Sequence, residues 1–230
     1  MKFTKETLNI LKNFSTINSS IFLSKGNFIM TRAINGTVYA EAKIPDTIDA
    51  DVAIYDLNTF LSVLSLVGES ADINLDTDEN IEIKNERSSI FLNAADPSTI
   101  SYPKKAITFP VANIIFDIKG EDLQQLLRVS RSMQIDTLGI TTEDGKIVVK
   151  GYNKAADSSN MKVLYSLVTG DYDGTNNFEF FINMANIKMQ PADYKCMIAV
   201  DPARKQAAIK FEATHAAYIV AFEADSTHNF

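Results

Sequence analysis

The chain has 230 residues, of which 46% are apolar and 22% charged, proportions that fit a folded globular protein and exclude a fibrous or disordered one. Its longest apolar runs, such as Tyr218–Phe222, are far too short to cross a bilayer, so no membrane partner is expected. The net charge of −7 argues against nucleic acid only on average, because phosphate attraction depends on the local surface.

The first half opens with a predicted amphipathic helix, Thr4–Ile17. Two β-like runs on either side of the turn signal Lys25-Gly26 follow it, and a further extended run reaches Ala42. Asp56 is a good N-cap for a second helix, Leu57–Val67. The wheel of the first helix carries Leu8, Ile10, Leu11, Phe14 and Ile17 on its apolar side, and Lys5, Asn9, Lys12, Asn13 and Thr16 on its polar side. Strands at Ala71–Leu75, Ile81–Lys84 and Ser88–Leu92 complete this half.

The second half repeats this order. A third helix, Glu121–Met133, precedes strands that meet at Asp144-Gly145, the expected counterpart of Lys25-Gly26. A short fourth helix, Met184–Met189, is stopped by Pro191. The apolar side of the third helix carries Leu123, Leu126, Leu127, Val129 and Met133. Strands at Lys195–Val200, Ala207–Glu212 and Ala217–Glu223 complete the repeat.

The segment 94–110 separates the two halves, and its prolines and lack of periodicity indicate an extended connector. We therefore predict two similar α+β domains with antiparallel sheets, residues 1–93 and 111–230. A plain linker is the simpler interpretation of 94–110. Its apolar side chains favour packing on the body and a groove between the domains instead; they are Ile100, Tyr102, Ile107 and Phe109.

No credible catalytic or metal-binding set stands out in the sequence. His215 falls in a predicted turn with no nucleophile motif nearby, and His228 lies in the last residues of the sequence. Cys196 sits in an apolar strand pattern that favours an inert buried thiol, and a single cysteine suits a cytosolic chain. The acidic loops Asp76–Asn80 and Asp171–Gly174 lack the glycine and glutamate positions of an EF-hand. We expect no enzyme activity, no cofactor and no metal.

Positive charge is placed on helix faces. Lys5 and Lys12 are seven residues apart on the first helix, Arg128 and Arg131 are three apart on the third, and Lys188 lies on the fourth. Routine surface charge is the simpler interpretation. The repeat favours a shared role, because equivalent helices carry cations in equivalent positions, although the second helix has none. Such faces would hold duplex DNA through phosphates and without sequence preference.

Several blocks resemble the sliding clamp family of T-even-type bacteriophages, the processivity factors of their replicative polymerases. The similarity spans essentially the whole chain. The blocks that carry it are GNFIMTRAINGT (Gly26–Thr37), VAIYDLNTFL (Val52–Leu61), AADPST (Ala94–Thr99), EDLQQLLRVSR (Glu121–Arg131), INMANIKMQP (Ile182–Pro191) and EADSTH (Glu223–His228).

The resemblance implies the DNA clamp fold, with antiparallel sheets outside and helices lining a ring. Three chains with four predicted helices each would place twelve helices around the hole. At about 10 Å per helix they leave a hole of roughly 28 Å, which admits duplex DNA and some water. Carried over by position, the five cations named above are expected to face DNA. Two alternatives remain. In an unrelated β-rich structural or ligand-binding protein those cations would be ordinary surface charge, and the other alternative is a hydrolase that uses His215.

The resemblance also implies partners and a location. A homotrimer would encircle double-stranded DNA and tether the DNA polymerase after loading by a clamp loader complex. A late-transcription sigma-like factor and its coactivator are further expected partners, in the cytoplasm of the infected bacterial host. Partner peptides are expected in an apolar groove beneath the connector, lined by Ile107 and Phe109.

Overall fold

A computed structural model describes residues 1–68, 71–77, 80–156, 161–201 and 206–230, and for 76 and 77 it describes the backbone alone. The chain divides into two compact units, Met1–Ile107 and Thr108–Phe230. The limit between the units falls inside the segment 94–110, while the domain limits inferred from the sequence stay a prediction. Each unit is described separately below.

The first unit contains two α-helices and seven strands among its described residues. Antiparallel pairing joins β1 to β4, joins β2 to β3, and joins β5, β6 and β7 into a three-stranded sheet. The elements are α1 (Lys5–Ser15), β1 (Ile21–Leu23), β2 (Gly26–Arg32), β3 (Val38–Ile48), β4 (Val52–Ile54), α2 (Leu57–Val67), β5 (Asp72–Thr77), β6 (Asn80–Lys84), β7 (Ser89–Asn93) and a 3-10 helix (Pro97–Thr99).

The second unit contains one α-helix and nine strands in the part of the chain that the structure describes. Its strands form two antiparallel groups, in the orders β11-β10-β9-β12-β16 and β15-β14-β13-β8. The elements are β8 (Ile114–Ile118), α3 (Gly120–Met133), β9 (Thr137–Glu143), β10 (Lys146–Tyr152), β11 (Tyr165–Asp171), β12 (Phe178–Asn183), a 3-10 helix (Met184–Asn186), β13 (Tyr194–Asp201), β14 (Gln206–Glu212), β15 (Ala216–Ala221) and β16 (Thr227–His228).

The core of the first unit forms where α1 packs against α2 and β3. Leu11 and Phe14 of α1, and Leu57 and Phe60 of α2, are all at most 1% exposed. Burial of each such side chain contributes about 1.5–3 kcal/mol before the cost of ordering the chain. The helices are therefore held by one apolar side each, and the opposite side is left to solvent.

The side chains of Thr4 and Asp46 fix the N-terminus of the first helix. The Thr4 side chain accepts a hydrogen bond from the N–H of Thr7, as expected of an N-cap. The N–H and hydroxyl of Thr4 in turn donate to Asp46 Oδ2 at 2.7 and 2.9 Å. The start of α1 is thus tied to β3 of the same unit.

The predicted fourth helix, Met184–Met189, is wrong. The structure has one 3-10 turn, Met184–Asn186, capped by the side chain of Asn183. Beyond it Ile187 and Met189 are both buried with Lys188 between them, which is the two-residue period of extended chain. The estimate of a ring hole from twelve equal helices therefore no longer stands.

The turn predicted at Lys25-Gly26 lies between β1 and β2 but does not join them as a hairpin, because β1 pairs with β4 and not with β2. Gly26 instead begins β2 at φ 121°, beside a shift in the pairing register with β3. The β2–β3 hairpin turns around Gly36, whose N–H donates to Ala33 O at 2.9 Å. Lys25-Gly26 remains the counterpart of Asp144-Gly145, because each follows the first strand after its helix. In both units that strand pairs with the fourth strand, β1 with β4 and β9 with β12, and the second pairs with the third, β2 with β3 and β10 with β11.

Two helix residues lie on the side opposite to the one predicted. Asn13, placed on the polar side of the first helix, is 8% exposed, and Met133, placed on an apolar side, is 43% exposed. Asn13 lies between the buried Leu11 and Phe14, and its backbone oxygen accepts the Thr16 hydroxyl at 2.7 Å. Met133 is the last residue of α3, where the helix leaves its unit's core.

Asn18 joins three parts of the first unit just beyond the end of α1. Its Nδ2 donates to the backbone oxygens of Arg32 and Ser101 at 3.0 and 2.9 Å. Its Oδ1 accepts from the N–H of Ser20 at 3.0 Å. The side chain is only 4% exposed, so water cannot readily replace these bonds.

Replacing Asn18 by Ala should lower the free energy of unfolding by about 1–3 kcal/mol, because two partly buried carbonyl oxygens lose their donor. Urea denaturation at a fixed protein concentration measures the change. The control is Asn58→Ala, at an exposed position of α2, which should shift the value by less than about 0.5 kcal/mol. Equal losses in both variants would contradict the proposed role of Asn18.

Candidate functional site

The exposed side of α1 carries a polar stripe. Lys5, Asn9 and Lys12 are exposed, and the C-cap Thr16 continues the same side. These positions are four, three and four residues apart, which is the spacing of one helix face. The sequence therefore placed Lys5 and Lys12 on the correct side of this helix.

The exposed side of α3 carries two arginines near its C-terminal end. Gln124, Arg128 and Arg131 are exposed, whereas Leu123 and Leu126 are 2% exposed on the other side. Within the described part of the chain, no carboxylate forms a salt bridge with Lys12, Arg128 or Arg131. These three cations are available to an external anion.

The helices α1 and α3 carry only one pair of cations in matching positions. A shift of 116 residues (128 − 12 = 116) aligns the buried Thr7, Ile10 and Phe14 with the buried Leu123, Leu126 and Ser130. The same shift aligns Lys12 with Arg128, but Lys5 with Glu121 and Ser15 with Arg131. The expectation of equivalent cations on equivalent helices is thus correct for Lys12 and Arg128 alone.

The exposed side of α2 carries no lysine or arginine, and the hydroxyl groups of Thr59 and Ser62 donate to atoms of the helix or of its N-cap. The Thr59 hydroxyl donates to Asp56 Oδ2 at 2.7 Å, and the Ser62 hydroxyl to Asn58 O at 2.8 Å. The N–H of Thr59, followed by its hydroxyl, holds the pKa of the Asp56 carboxyl below its usual value. The resulting negative charge cancels the positive end of the helix dipole, which would otherwise attract phosphate.

Serines on the other two helices behave in the same way. The Ser15 hydroxyl donates to Lys12 O at 2.9 Å, and the Ser132 hydroxyl donates to Arg128 O at 3.2 Å. These short hydroxyl side chains therefore form hydrogen bonds within their own helices and caps. Long cationic side chains and amides remain as the donors that can reach a phosphate.

Lys188 lies in a different setting from the other four predicted cations. It is half-buried in extended chain after the 3-10 turn, between Ile187 and Met189, which are 9% and 3% exposed. It is not on a helix face, so the structural reason for grouping it with Lys12 and Arg128 is lost. Contact of any of the five cations with DNA stays a prediction.

The two residues predicted to bind partner peptides fall in different units. Ile107 is the last residue of the first unit and is 44% exposed, whereas Phe109 is half-buried in the second unit. The chain leading to Ile107 is fastened to the first unit. Asn18 holds the backbone of Ser101, and the Tyr102 ring stacks on Phe22 with centroids 4.6 Å apart.

Exposed apolar side chains on two edge strands were not singled out from the sequence. Phe91 of β7 is 62% exposed, and Val168 of β11 is 59% exposed. Among the described residues of each unit, β7 pairs only with β6 and β11 only with β10. Each strand therefore offers unpaired backbone groups next to an apolar side chain. The sequence predicted the first of these strands as Ser88–Leu92, but it did not indicate that one side of the strand is open.

The residues tested for chemistry remain without a reactive arrangement. Cys196 is fully buried, and burial raises the pKa of its thiol far above the usual value. His215 lies in the turn between β14 and β15. His228 stacks on Phe180 with ring centroids 5.7 Å apart. No group of three or more potential metal ligands occurs among the described residues, although positions 78 and 79 of the first acidic loop lie outside them.

Comparison with known proteins identifies the family. Residues 4–102 match the family described as "DNA polymerase processivity factor", and residues 115–224 match "gp45 sliding clamp, C terminal". The chain is 60% identical to the sliding clamp of Enterobacteria phage T4 and 59% identical to that of Escherichia phage RB69, over 100% of both chains in each case. The chain belongs to the sliding clamp family.

More distant clamps share the fold. The clamp of Vibrio phage KVP40 is 27% identical over 88% of this chain and 91% of its own. A PCNA structure from Thermococcus kodakaraensis has 12% identity and a TM-score of 0.65, covering 96% of this chain and 98% of that one. A Helicobacter pylori beta clamp has 12% identity and a TM-score of 0.68, covering 96% and 65%. The predicted α+β clamp fold is confirmed.

Membership of the sliding clamp family replaces the alternative of an unrelated β-rich structural or ligand-binding protein. Neither matching family description names a catalytic activity. In the described ranges, no helix combines the length and the apolar character needed to span a membrane.

Asp136 fixes the chain just after α3. Its two carboxylate oxygens accept from the N–H groups of Lys154 and Ala155 at 2.9 and 2.8 Å, and its backbone oxygen accepts from Met184 at 2.8 Å. Burial alone would raise the pKa of Asp136, but these N–H groups and the Thr137 hydroxyl outweigh it and lower the pKa. The ionised carboxylate is therefore the form that the fold stabilises.

Replacing Asp136 by Asn should destabilise this clamp by about 1 kcal/mol at pH 7. Because the folded state lowers the pKa of Asp136, the ionised carboxylate stabilises the fold at every pH above the unfolded-state pKa of about 4. This stability is lost as the pH falls through the folded-state pKa. The difference between the variant and the unmodified protein should therefore shrink in acid. Urea denaturation across pH measures it, with Asp117→Asn on the exposed side of β8 as control. A difference that does not depend on pH would contradict this.

Proposed function

We propose that the chain is a non-enzymatic clamp subunit that encircles duplex DNA and tethers the replicative polymerase during synthesis. The observation that carries this proposal is the 59–60% identity to two phage sliding clamps over the full length of each. A polymerase tethered to a closed ring dissociates from DNA only after the ring opens. Weak contacts inside the ring then suffice, because topology provides the retention.

Contact with DNA is assigned to Lys5, Lys12, Arg128 and Arg131, with Lys188 as a fifth candidate in extended chain. Exposed cations attract phosphates electrostatically. This attraction weakens as the salt concentration rises, and it does not depend on the DNA sequence. The neutral side of α2 adds no strong donor. Such a surface supports sliding, since no rigid contact must break at each base-pair step.

The net charge also fits an encircling role. Three chains at −7 each give −21 for a trimer. An acidic exterior repels DNA, whereas a local cluster of cations attracts it. DNA is therefore favoured at the cationic helix faces over the rest of the surface.

A homotrimer is proposed through the open edges of β7 and β11. A ring requires a head-to-tail interface, in which two different surfaces of the chain meet. The edge of β7 with Phe91 and the edge of β11 with Val168 are two such surfaces, each combining unpaired backbone groups with an exposed apolar residue. Their pairing would bury both residues and satisfy the backbone.

The connector is proposed as the site where partner proteins bind through short peptides. Ile107 supplies an exposed apolar contact and Phe109 a half-buried one. The proposed partners are the DNA polymerase, the clamp loader complex, and a late-transcription sigma-like factor with its coactivator. They would meet the clamp in the cytoplasm of the infected bacterial host.

Replacing Arg128 and Arg131 by Glu should shorten primer-extension products on a long template at least several-fold, because phosphate attraction becomes repulsion. The assay contains the cognate polymerase and clamp loader, and analytical ultracentrifugation checks that the oligomer persists. The matched control is Lys43→Glu with Lys195→Glu, which changes the net charge equally at exposed strand positions. Processivity that is unchanged in the arginine variant, or reduced equally in the control, would place the DNA contact elsewhere.

Replacing Phe91 by Glu should weaken the trimer at least about tenfold, because a charge would be buried at an apolar contact. Sedimentation over a range of protein concentrations measures the association. The control is Ile34→Glu, at a position 79% exposed in the β2–β3 turn, which should leave the trimer intact. A trimer as stable in Phe91→Glu as in the control would exclude the β7 edge from the interface.

A further inference from the structure

Two adjacent lysines precede the exposed Ile107 in the connector. Lys104 and Lys105 are both exposed, in a chain whose net charge is −7. In the described part of the chain, no carboxylate forms a salt bridge with either lysine. A local basic site therefore lies beside an apolar contact on an acidic protein.

The connector is rigidly held up to the point where the lysines begin. Asn18 Nδ2 binds the backbone oxygen of Ser101 at 2.9 Å, and the rings of Tyr102 and Phe22 stack at 4.6 Å with an interplanar angle of 15°. Pro103 is buried. The backbone that carries Lys104 is thus positioned by the first unit before any partner arrives, which lowers the entropy cost of binding.

Lys104 is also restrained by its own neighbour. Its Nζ lies 4.0 Å from the centre of the Tyr102 ring and donates to the Tyr102 hydroxyl at 2.7 Å. Neither contact neutralises the charge, and an ammonium group has three donors. Lys104 can therefore donate a hydrogen bond to a carboxylate of a partner from a defined position.

Glu41 of β3 accepts a hydrogen bond from a tyrosine that lies close to Ile107. The Tyr39 hydroxyl donates to Glu41 Oε2 at 2.7 Å, and Tyr39 itself lies beside the backbone N–H of Ile107. Glu41 is half-buried and held by this bond. Among the described residues Glu41 forms no salt bridge with Lys104 or Lys105, so both lysines are available to a ligand.

We propose that Lys104 and Lys105 select partner peptides in which Asp or Glu residues flank the apolar residue that contacts Ile107. This proposal rests on the proposed function, since it requires the connector to be the partner-binding site. Exposed charge pairs are individually weak, so the lysines discriminate among apolar peptides and the apolar contact supplies most of the affinity.

The test uses three forms of the C-terminal twelve residues of the cognate polymerase, labelled with fluorescein. They carry Asp, Asn or Lys at two positions beside an unchanged apolar core. Fluorescence anisotropy at low salt should show the Asp form binding the intact trimer about 3- to 10-fold more tightly than the Asn form. The Lys form should bind most weakly, and the differences should fall below about twofold at 1 M salt.

The double variant Lys104→Glu, Lys105→Glu should reverse the order and bind the Lys form best. A reversal is a gain that general damage to the fold does not produce. The variant Lys43→Glu, Lys195→Glu has the same net charge and should keep the original order. A reversal in this control as well would overturn the proposal, because it would assign the preference to overall charge.

Ile107→Glu separates the proposal from the function on which it rests. If Ile107→Glu abolishes binding of all three peptides while native protein binds them equally, the partner site stands and charge selection is overturned. If Ile107→Glu leaves binding unchanged, the connector is not the partner site, and both are overturned. Loss of binding in Ile107→Glu together with reversal by the double lysine variant supports the proposal.

Discussion

The burial of one side of each α-helix against its own unit is the constraint on which the rest of the molecule depends. Leu11 and Phe14 hold α1, and Leu123 and Leu126 hold α3. Since the helical period fixes which residues lie opposite, Lys12 and Arg128 are turned outwards by the same packing. The charged surface is thus a consequence of the core, and a change in the core would move it.

Much of the fold follows from periodicity in the sequence. The first three helices have clear apolar sides, and Asp56 caps the second as its side chain suggests. The segment Met184–Met189 is too short for the local pattern to distinguish a helix from one 3-10 turn followed by extended chain, and alternating burial at its end shows the extended chain. The Lys25-Gly26 signal correctly separates two strands, but the sequence does not show whether those strands pair with each other. A glycine can mark a hairpin turn or a bulge, and only the pairing partners distinguish the two.

The candidate site was predictable in part for the same reason. Lys12 and Arg128 could be found because helix position predicts exposure, whereas the exposure of Phe91 depends on a strand that is missing from one side. Hydrogen bonds such as Thr59 to Asp56 are set by rotamers and cannot be read from residue types. The proposal of a ring rests on the family resemblance, because neither composition nor spacing predicts one.

The buried thiol of Cys196 has a practical consequence for spectroscopy. The thiol is 0% exposed and its pKa is raised, so almost no thiolate is presented to solvent and maleimide dyes should not label it. The natural sequence therefore already serves as a background without reactive cysteines. A single new cysteine on β7 or β11 would accept a fluorophore at a chosen place, and the opening of a ring could then be followed as a change in energy transfer.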